Sequence, residues 1–416
     1  MSHLLEDFKN FLDHSPTSWH AAKEICNRLA AAGFSPLKEE EKWNLEAGEK
    51  YFVERAGFVS AFCIPKTLPK KITLLAAHTD SPALKVKPHP ESQKETATLL
   101  SLEVYGSPIL HSWFNRDLAL AGRVIIQNKQ NEIEEKLLFL NDSPLFIPQL
   151  APHLDKDPSI DKQEHLRAIF TLSAENTNVL ETLIEKHLDF KTLFSFDLFL
   201  VPVEEARFVG LKGEMISSYR LDNLSSCHSL CAAIAKASSK ETLQMALFWD
   251  HEEIGSHTTE GADSPLLADI LKRIASALNI SDEEMIRMKP QSLALSVDVA
   301  HAFNPNFPNK YDPDHKCLLG KGFAIKHNAN KKYATCAKTA ALLIQTCQKE
   351  KIPYQVFTSH SNVSCGSTVG PLIAQNLGFP TVDIGCPILS MHSIREVMSC
   401  KDHLDMCNFL TKELEQ

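Results

Sequence analysis

Imidazole and carboxylate side chains recur in this sequence directly after apolar runs that are typical of buried strands. One run covers residues 71–77 and another covers residues 243–249, and charged side chains follow each within a few positions. Because the carboxyl ends of parallel strands gather at one edge of a sheet, we expect these side chains to meet there. The candidates are His78, Asp80, Asp222, Glu252, Glu253, Asp298 and His392.

Such a concentration of acids needs a source of positive charge. Buried carboxylates repel one another, and burying a charge is costly unless it is paired or bound to a metal. Imidazole and carboxylate ligands without a thiolate suit zinc, cobalt or manganese. Two imidazoles and at least three carboxylates exceed the three protein ligands of one catalytic zinc ion, and they fit two ions bridged by a carboxylate. The sequence therefore predicts a two-metal site.

Each of these residues also has a purely structural explanation. A histidine at a strand end, such as His78, can simply be hydrogen-bonded, and Asp222 can cap a helix. Glu252 and Glu253 can form a solvated acidic pair. These explanations weaken together, because five separate segments show the same feature. The acidic pair also lies between apolar or small residues, which predicts a buried setting.

Other catalytic patterns fit the chain poorly. With 15 glycines, it contains neither a Gly-x-Gly-x-x-Gly loop nor a Walker-type loop for phosphate. The stretch 364–367 looks like a nucleophile loop around Cys365, but it lacks the Gly-x-Ser-x-Gly spacing and an obvious partner. Nucleophilic catalysis by this cysteine is therefore disfavoured.

The composition excludes several classes of protein. The 416 residues include 43 Lys or Arg and 52 Asp or Glu, for a net charge of −9, which argues against nucleic-acid binding. No apolar run reaches the ~18 residues that a membrane span needs, so we expect no membrane partner. The 11 scattered cysteines form no Cys-x-x-Cys pair, and the N-terminus does not read as a signal peptide. A cytoplasmic location is therefore predicted.

The order of predicted elements indicates an α/β fold with an insertion. After residue 208, helices alternate with strands, which is typical of a mixed, mostly parallel sheet sandwiched by helices. Strand-like runs dominate residues 92–208, which we interpret as an inserted β-rich module. The catalytic domain is then predicted in two parts, at 1–91 and 209–416. Its last helix is predicted over residues 394–414.

An ordered set of motifs makes the sequence resemble the aspartyl aminopeptidase and vacuolar aminopeptidase I family, and it closely resembles the bacterial members. The motifs are HTDSP at 78–82, RLDN at 220–223, EEIGS at 252–256, DVAH at 298–301, NANKKYA at 328–334, CGST at 365–368 and MHSIRE at 391–396. WFNRDLALAGR at 113–123 adds a match inside the middle module. The resemblance extends from near the N-terminus to the C-terminus.

This resemblance implies a dinuclear metallo-aminopeptidase that acts on peptides with a free N-terminus. It implies two divalent metal ions in each subunit, with zinc expected first and cobalt or manganese also accepted. The inserted β-rich domain is expected to mediate dimerisation, and the dimers are expected to assemble into a homododecamer.

The resemblance also implies a role for each candidate residue. It implies five metal ligands. His78 and Asp298 would bind one ion, and Glu253 and His392 would bind the other. Asp222 would bridge the two ions. Asp80 would hydrogen-bond His78 and fix its tautomer. Glu252 would be the general base that takes a proton from the attacking water.

The stretch 328–334 departs from the pattern of aspartyl-specific members, which carry a lysine there. Asn330 stands at that position in this chain, beside Lys331. Candidate contacts for an acidic substrate side chain are Lys331, Lys332 and Arg395. His111, in the inserted module, is expected either to reach a neighbouring subunit's active site or to serve a structural role.

Several functions therefore stay open. The first is an aminopeptidase that prefers acidic N-terminal residues, and the second is a broad or neutral-residue aminopeptidase of the same family. A related dinuclear amidase or deacylase would use the same ligands on N-acylated amino acids. A catalytically silent scaffold is the fourth, and the intact Glu252 argues against it.

Overall fold

The computed structural model describes residues 3–157, 159–172 and 178–415. The α-helices of these residues are α1 (His3–Asp13), α2 (Ser18–Ala31), α3 (Val179–Glu185), α4 (Leu221–Lys236), α5 (Leu266–Ala277), α6 (Asp282–Met288), α7 (Ala337–Glu350), α8 (Val369–Leu377) and α9 (Cys400–Leu414). The strands are β1 (Ser35–Pro36), β2 (Lys50–Arg55), β3 (Phe58–Cys63), β4 (Lys71–His78), β5 (Ala83–Lys94), β6 (Ala97–Tyr105), β7 (Leu118–Gln127), β8 (Ile133–Leu145), β9 (Arg167–Thr171), β10 (Thr192–Pro202), β11 (Arg207–Val209), β12 (Met215–Ser218), β13 (Thr242–Trp249), β14 (Leu293–Val297), β15 (Ala300–His301), β16 (Phe323–Lys326), β17 (Tyr354–Phe357), β18 (Thr381–Gly385), β19 (Pro387–Leu389) and β20 (Glu396–Ser399).

The described residues divide into two compact units. The first covers those within Met1–Asp80, Ala206–Met391 and Glu396–Gln416, and the second covers those within Ser81–Glu205 and His392–Arg395. The α/β class predicted from the sequence is confirmed. The domain boundaries placed at residues 92 and 208 from the sequence stay a prediction.

The first unit is built on a mixed sheet with the strand order β1-β2-β3-β13-β4-β14-β18-β16-β17. The central neighbours β13, β4, β14 and β18 run parallel to one another. Strands β3 and β16 pair antiparallel on either side of this group. A smaller sheet in the same unit has the order β11-β12-β20-β19-β15. The central parallel strands matter most for function, because their carboxyl ends face the same edge.

Helices cover both faces of the large sheet, so its central strands are apolar along their whole length. Every residue of β13 is buried. Alternate side chains of β4 enter two different cores, with Leu75 in the core that includes Phe409 of α9, and Leu74 in the core that includes Ile270 of α5. This burial on both faces explains why β4 is a continuous apolar run up to its last residue, His78.

The second unit contains an antiparallel sheet with the strand order β8-β7-β10-β5-β6-β9. Strands β7 and β10 pair along most of their length, from Thr192 opposite Gln127 to Pro202 opposite Leu118. The predicted β-rich character of the inserted module is confirmed by this sheet. Side chains along β8 alternate only partly between buried and exposed, since one face of the strand lies at the surface.

The predicted start of the last helix at residue 394 is wrong. The helix α9 begins at Cys400, and the preceding residues Glu396–Ser399 form β20, which pairs antiparallel with β12. Pairing with a segment about 180 residues earlier satisfies the backbone groups that a helix would otherwise have bonded locally. The periodicity of the sequence alone does not reveal such a partner.

Helices in the described part of the chain are too short or too polar to cross a lipid bilayer.

Candidate metal centre

The central parallel strands end beside one another with charged side chains. His78 is the last residue of β4 and pairs with Trp249, the last residue of β13. The turn that carries Glu252 begins three positions after Trp249. Asp298 directly follows β14, which pairs with the other side of β4. The sheet register therefore brings an imidazole between two acidic segments.

His78 lies within a few ångströms of five carboxylates, one of which, that of Asp80, lies at Nδ1. Its Nε2 atom is 3.4 Å from Asp222 Oδ1, 3.6 Å from Asp298 Oδ1 and 4.0 Å from Glu252 Oε2. Possible ligand atoms of His78, Glu252 and Glu253 also lie within 4.8 Å of one another. Two overlapping groups of three possible metal ligands result, and His78 belongs to both.

Asp222 reaches this cluster because α4 begins irregularly. Arg220, which precedes the helix, has a left-handed backbone with a φ of 66°, and Asp222 and Asn223 leave the helical conformation. The backbone N–H of Asp222 donates to the buried carboxylate of Glu396 at 3.0 Å. The Asn223 amide donates to the carbonyl oxygen of Val297 at 2.9 Å. These two bonds hold the start of α4 against β14 and β20.

Asp80 connects the histidine to the acidic turn. Its carboxylate accepts the backbone N–H groups of Glu252 and Glu253 at 3.0 and 3.1 Å. The same carboxylate lies 3.3 Å from Nδ1 of His78, which is also 3.1 Å from the Asp80 carbonyl oxygen. The acidic turn, a single 3-10 turn over Glu252–Ile254, is thereby fixed relative to the imidazole.

Arg220 lies buried next to Asp80, in a role that its motif alone did not reveal. Its guanidinium donates to the Thr79 carbonyl oxygen and interacts electrostatically with Asp80 and Asp250. Asp250 in turn accepts a hydrogen bond from the Ser18 hydroxyl at 3.1 Å. The guanidinium therefore offsets part of the negative charge of Asp80 and Asp250.

The family model described as "Aminopeptidase I zinc metalloprotease (M18)" matches residues 11–412. The chain belongs to the M18 family. The resemblance stated from the sequence motifs is confirmed, and the protein is a hydrolase, a metallo-aminopeptidase of the M18 zinc family.

Bacterial relatives of this M18 enzyme match over nearly its whole length. A protein named "Probable M18 family aminopeptidase 2" from Ectopseudomonas mendocina (strain ymp) is 37% identical, over 98% of this chain and 97% of its own. A protein of the same name from Clostridium novyi (strain NT) is 36% identical, over 95% of this chain and 94% of its own.

Solved M18 structures share the fold. A chain in "Cryo-EM structure of the Ape4 and Nbr1 complex" is 31% identical, with a TM-score of 0.94 over 99% of this chain and 85% of that chain. The "Crystal structure of prApe1" is 26% identical, with a TM-score of 0.93 over 99% of this chain and 94% of that chain. The M18 family and its fold are therefore supported by both sequence and structure.

The acids at the strand ends of this M18 enzyme fit a site built for cations. Burial, opposed by the charge of His78 and reinforced by that of Asp298, raises the pKa of Glu252 to about 8. Burial and then Asp222 raise the pKa of Glu253 well above its usual range. Burial alone would lower the pKa of His78, but hydrogen bonds to Asp222, Asp298 and Asp80 outweigh it and raise that pKa. Because these pKa values are raised, the side chains of Glu252, Glu253 and His78 would bind protons when no cation is bound.

Three residues predicted for the site belong to the second unit. His392 has a positive φ of 67°, and its Nδ1 lies 3.1 Å from the Ser107 carbonyl oxygen. Arg395 donates to the Glu205 carbonyl oxygen at 2.9 Å. His111 is exposed on the short turn Leu110–Trp113. Their predicted roles stay predictions.

The lysines of the stretch 328–334 are exposed, whereas a lysine outside that stretch lies at the cluster. Lys331 is exposed and donates to the carbonyl oxygen of Thr335 at 3.0 Å, within its own loop. Lys326, at the end of β16, is fully buried and its Nζ is 3.7 Å from Asp298 Oδ2. Sequence reasoning missed Lys326, although a lysine that ends the apolar run 323–325 is the signal that could have found it.

Proposed function

We propose that this M18 enzyme uses two divalent metal ions, zinc in the first instance, to release acidic residues from the N-termini of peptides. The observation that carries the two-ion proposal is the cluster around His78, where Asp222, Asp298, Glu252 and Glu253 supply more possible ligand atoms than the three that one catalytic zinc ion takes from the protein. The acidic preference rests on Lys326, whose buried ammonium lies beside Asp298. The activity itself, aminopeptidase hydrolysis, is that of the family.

The proposed ligand set distributes five side chains over two ions. One ion would be held by His78 and Asp298, the other by Glu253 and His392, with Asp222 shared between them. Bound zinc ions would lower the pKa of a water molecule and polarise the carbonyl group of the first peptide bond. Four carboxylates in this small space are stabilised by such cations, since they would otherwise repel one another or keep protons.

Glu252 is the proposed general base. Its Oε2 faces the imidazole of His78 at 4.0 Å, and the hydrogen bond from its own backbone N–H to Asp80 fixes the turn that presents it. Burial raises the proton affinity of this carboxylate, which suits a group that must take a proton and return it. Glu252 would accept the proton of the attacking water and pass it to the nitrogen of the leaving amine.

Lys326 is the proposed contact for an acidic N-terminal side chain. Its Nζ donates to the Val299 carbonyl oxygen at 3.1 Å, which uses one of three N–H groups, and lies 4.9 Å from the centre of the Tyr333 ring. A substrate carboxylate that reaches this ammonium would form a charge-assisted hydrogen bond out of contact with water. Asn330, at the position where aspartyl-specific members carry a lysine, is exposed.

A substrate panel on metal-stripped enzyme tests the proposed function. Free Asp, Glu, Ala and Leu p-nitroanilides and their N-acetylated forms are compared after zinc, cobalt or manganese is added back. We expect hydrolysis of the free Asp and Glu substrates to exceed that of Ala and Leu, with no cleavage of the blocked forms. Equal release of p-nitroaniline from all free substrates would favour the broad aminopeptidase, and release of acetate from the blocked forms alone would favour the deacylase.

We also propose that the enzyme forms a homododecamer built from dimers and acts in the cytoplasm. One M18 neighbour, in "Structure of S. cerevesiae mApe1 dodecamer", is 24% identical with a TM-score of 0.87. The β-rich sheet of the second unit is the proposed dimer contact. Mass photometry of the full chain tests the assembly, because a dimer or monomer at all concentrations would contradict it.

A further inference from the structure

Two histidines and a cysteine form a second group of possible metal ligands in the first unit. Nδ1 of His228 lies 3.0 Å from Nε2 of His403, and the same Nε2 lies 3.6 Å from Sγ of Cys407. One ligand atom from each residue lies within 4.8 Å of the other two. All three side chains are buried, and Cys407 is a free thiol. None of them belongs to the strand-end cluster.

Two helices bring these ligands together. His403 and Cys407 are four residues apart on α9, which places them on one face of that helix. His228 approaches them from α4, which packs against α9. Zinc forms bonds of about 2.0–2.1 Å to nitrogen and about 2.3 Å to sulfur. In a tetrahedral site, a ligating nitrogen and a ligating sulfur are therefore about 3.6 Å apart. The distance from the His403 nitrogen to the Cys407 sulfur has this value.

The surroundings of His228 match those of a metal-binding histidine. Nε2 of His228 lies 3.0 Å from the Asp7 carboxylate, which also accepts a hydrogen bond from Arg28 at 2.8 Å. A carboxylate on one ring nitrogen fixes the proton there and leaves the other nitrogen as a lone-pair donor. That other nitrogen, Nδ1, is the one that faces His403. The Phe8 ring stacks on His403 with centroids 3.8 Å apart and fixes its plane.

We propose that His228, His403 and Cys407 bind a zinc-class transition-metal ion at a site separate from the catalytic centre. Two imidazoles and a thiolate select such an ion over magnesium or calcium, which prefer oxygen ligands. Binding would form a metal–sulfur bond as the Cys407 thiol releases its proton to solvent. The ion would tie α9 to α4, the helix whose first turn carries the proposed bridging ligand Asp222.

A cavity adjoins His228, one of the three proposed ligands. It has a volume of about 240 Å³ and is lined by Leu4, Asp7, Arg28, His228 and Cys231, among others. Both partners of the Asp7–His228 contact therefore line this cavity.

Cobalt substitution of the metal-stripped full-length enzyme tests the proposal. The proposed catalytic ligands contain no sulfur, so a near-ultraviolet thiolate-to-cobalt charge-transfer band reports the new site alone. We expect this band in the wild type and not in the Cys407→Ser variant. The wild type should also bind one more ion per chain than the variant does. Cys336→Ser, which removes an exposed thiol, is the matched control and should keep both the band and the extra ion.

Equal metal content in wild type and Cys407→Ser, with no charge-transfer band, would overturn the proposal and leave a hydrogen-bonded network only. The difference of one ion does not depend on how many ions the catalytic centre holds, so it can fail or succeed independently of the proposed function. If Cys407→Ser does not fold, X-ray absorption of the zinc-loaded Cys336→Ser enzyme replaces it. A zinc–sulfur shell at about 2.3 Å is then expected, and its absence overturns the proposal.

Discussion

Oδ1 of Asp80 lies 3.3 Å from Nδ1 of His78, while the same carboxylate holds the backbone of the acidic turn. With a proton held at Nδ1, Nε2 is the ring atom that faces the carboxylates of Asp222 and Asp298 and that would bind a metal ion. One aspartate thus sets the orientation of a proposed ligand and the position of Glu252 and Glu253.

Replacement of Asp80 by Asn should weaken metal binding. The amide keeps the size of the side chain but has one acceptor oxygen, so it cannot hold both N–H groups of the turn and the imidazole. We expect a loss of about 10–100-fold in zinc affinity, measured by competition with a chromophoric chelator. Asp314→Asn, at an exposed position, is the control, and an unchanged affinity in Asp80→Asn would contradict the role given to Asp80.

Replacement of Glu252 by Gln should separate catalysis from metal binding. Loss of the proton acceptor is expected to lower kcat by about 10²–10⁴-fold. Metal content, measured by mass spectrometry of the elements, should stay at the wild-type level. The neighbouring Glu253→Gln variant should instead lose metal, because Glu253 is a proposed ligand. Activity that survives in Glu252→Gln would show that another group is the base.

Replacement of Lys326 by Met tests the acidic preference. A charge-assisted hydrogen bond contributes about 1.5–3 kcal/mol, so the ratio of kcat/KM for Asp against Ala substrates should fall roughly 10–100-fold. Hydrolysis of the Ala substrate should change less, since its side chain makes no ionic contact. Lys331→Met removes an exposed lysine and should leave the ratio unchanged. The opposite pattern would assign selectivity to the 328–334 loop.

Metal binding should release protons in a manner that depends on pH. Burial raises the pKa of Glu252 to about 8, so its carboxyl group is protonated at pH 7 when cations are absent and deprotonated when they are present. Proton release on zinc binding should therefore be larger at pH 7 than at pH 9, and zinc affinity should rise with pH up to about 8. Calorimetry in buffers of different ionisation enthalpy measures this release, and an equal release at both pH values would refute the expectation.

Asp402 should make the stability of the fold fall as pH rises through the mildly acidic range. Its carboxylate accepts the backbone N–H groups of Gly320 and Gly322, yet burial raises its pKa to about 6. The folded state then binds this proton more tightly than the unfolded chain does. Its contribution is present below pH ~4 and is lost as pH rises to ~6, on the order of 2–3 kcal/mol.

Chemical denaturation of wild type and Asp402→Asn across this range isolates the effect. Asn cannot ionise, so the difference in free energy of unfolding between the two proteins should change with pH between about 4 and 6 and stay level above. A difference that is constant across the whole range would show that Asp402 keeps its ordinary pKa.

The sequence by itself determined the local part of this protein. Continuous apolar runs such as 71–77 are typical of strands buried on both faces, and each run ends at a polar side chain that needs a bonding partner. The positions of His78 and Asp298 at strand ends could therefore be read directly. The ordered motifs, each only a few residues long, determined the family in the same local way.

Only the tertiary structure decided which distant segments meet. The strand at Glu396–Ser399 exists because β12 is available to pair with it. Lys326 becomes a candidate for the site because its ammonium forms an ion pair with Asp298. His228 and His403 are 175 residues apart and touch because α4 packs on α9. Periodicity fixes conformation and burial within a segment, whereas contacts across the chain depend on how whole elements pack, which no local pattern encodes.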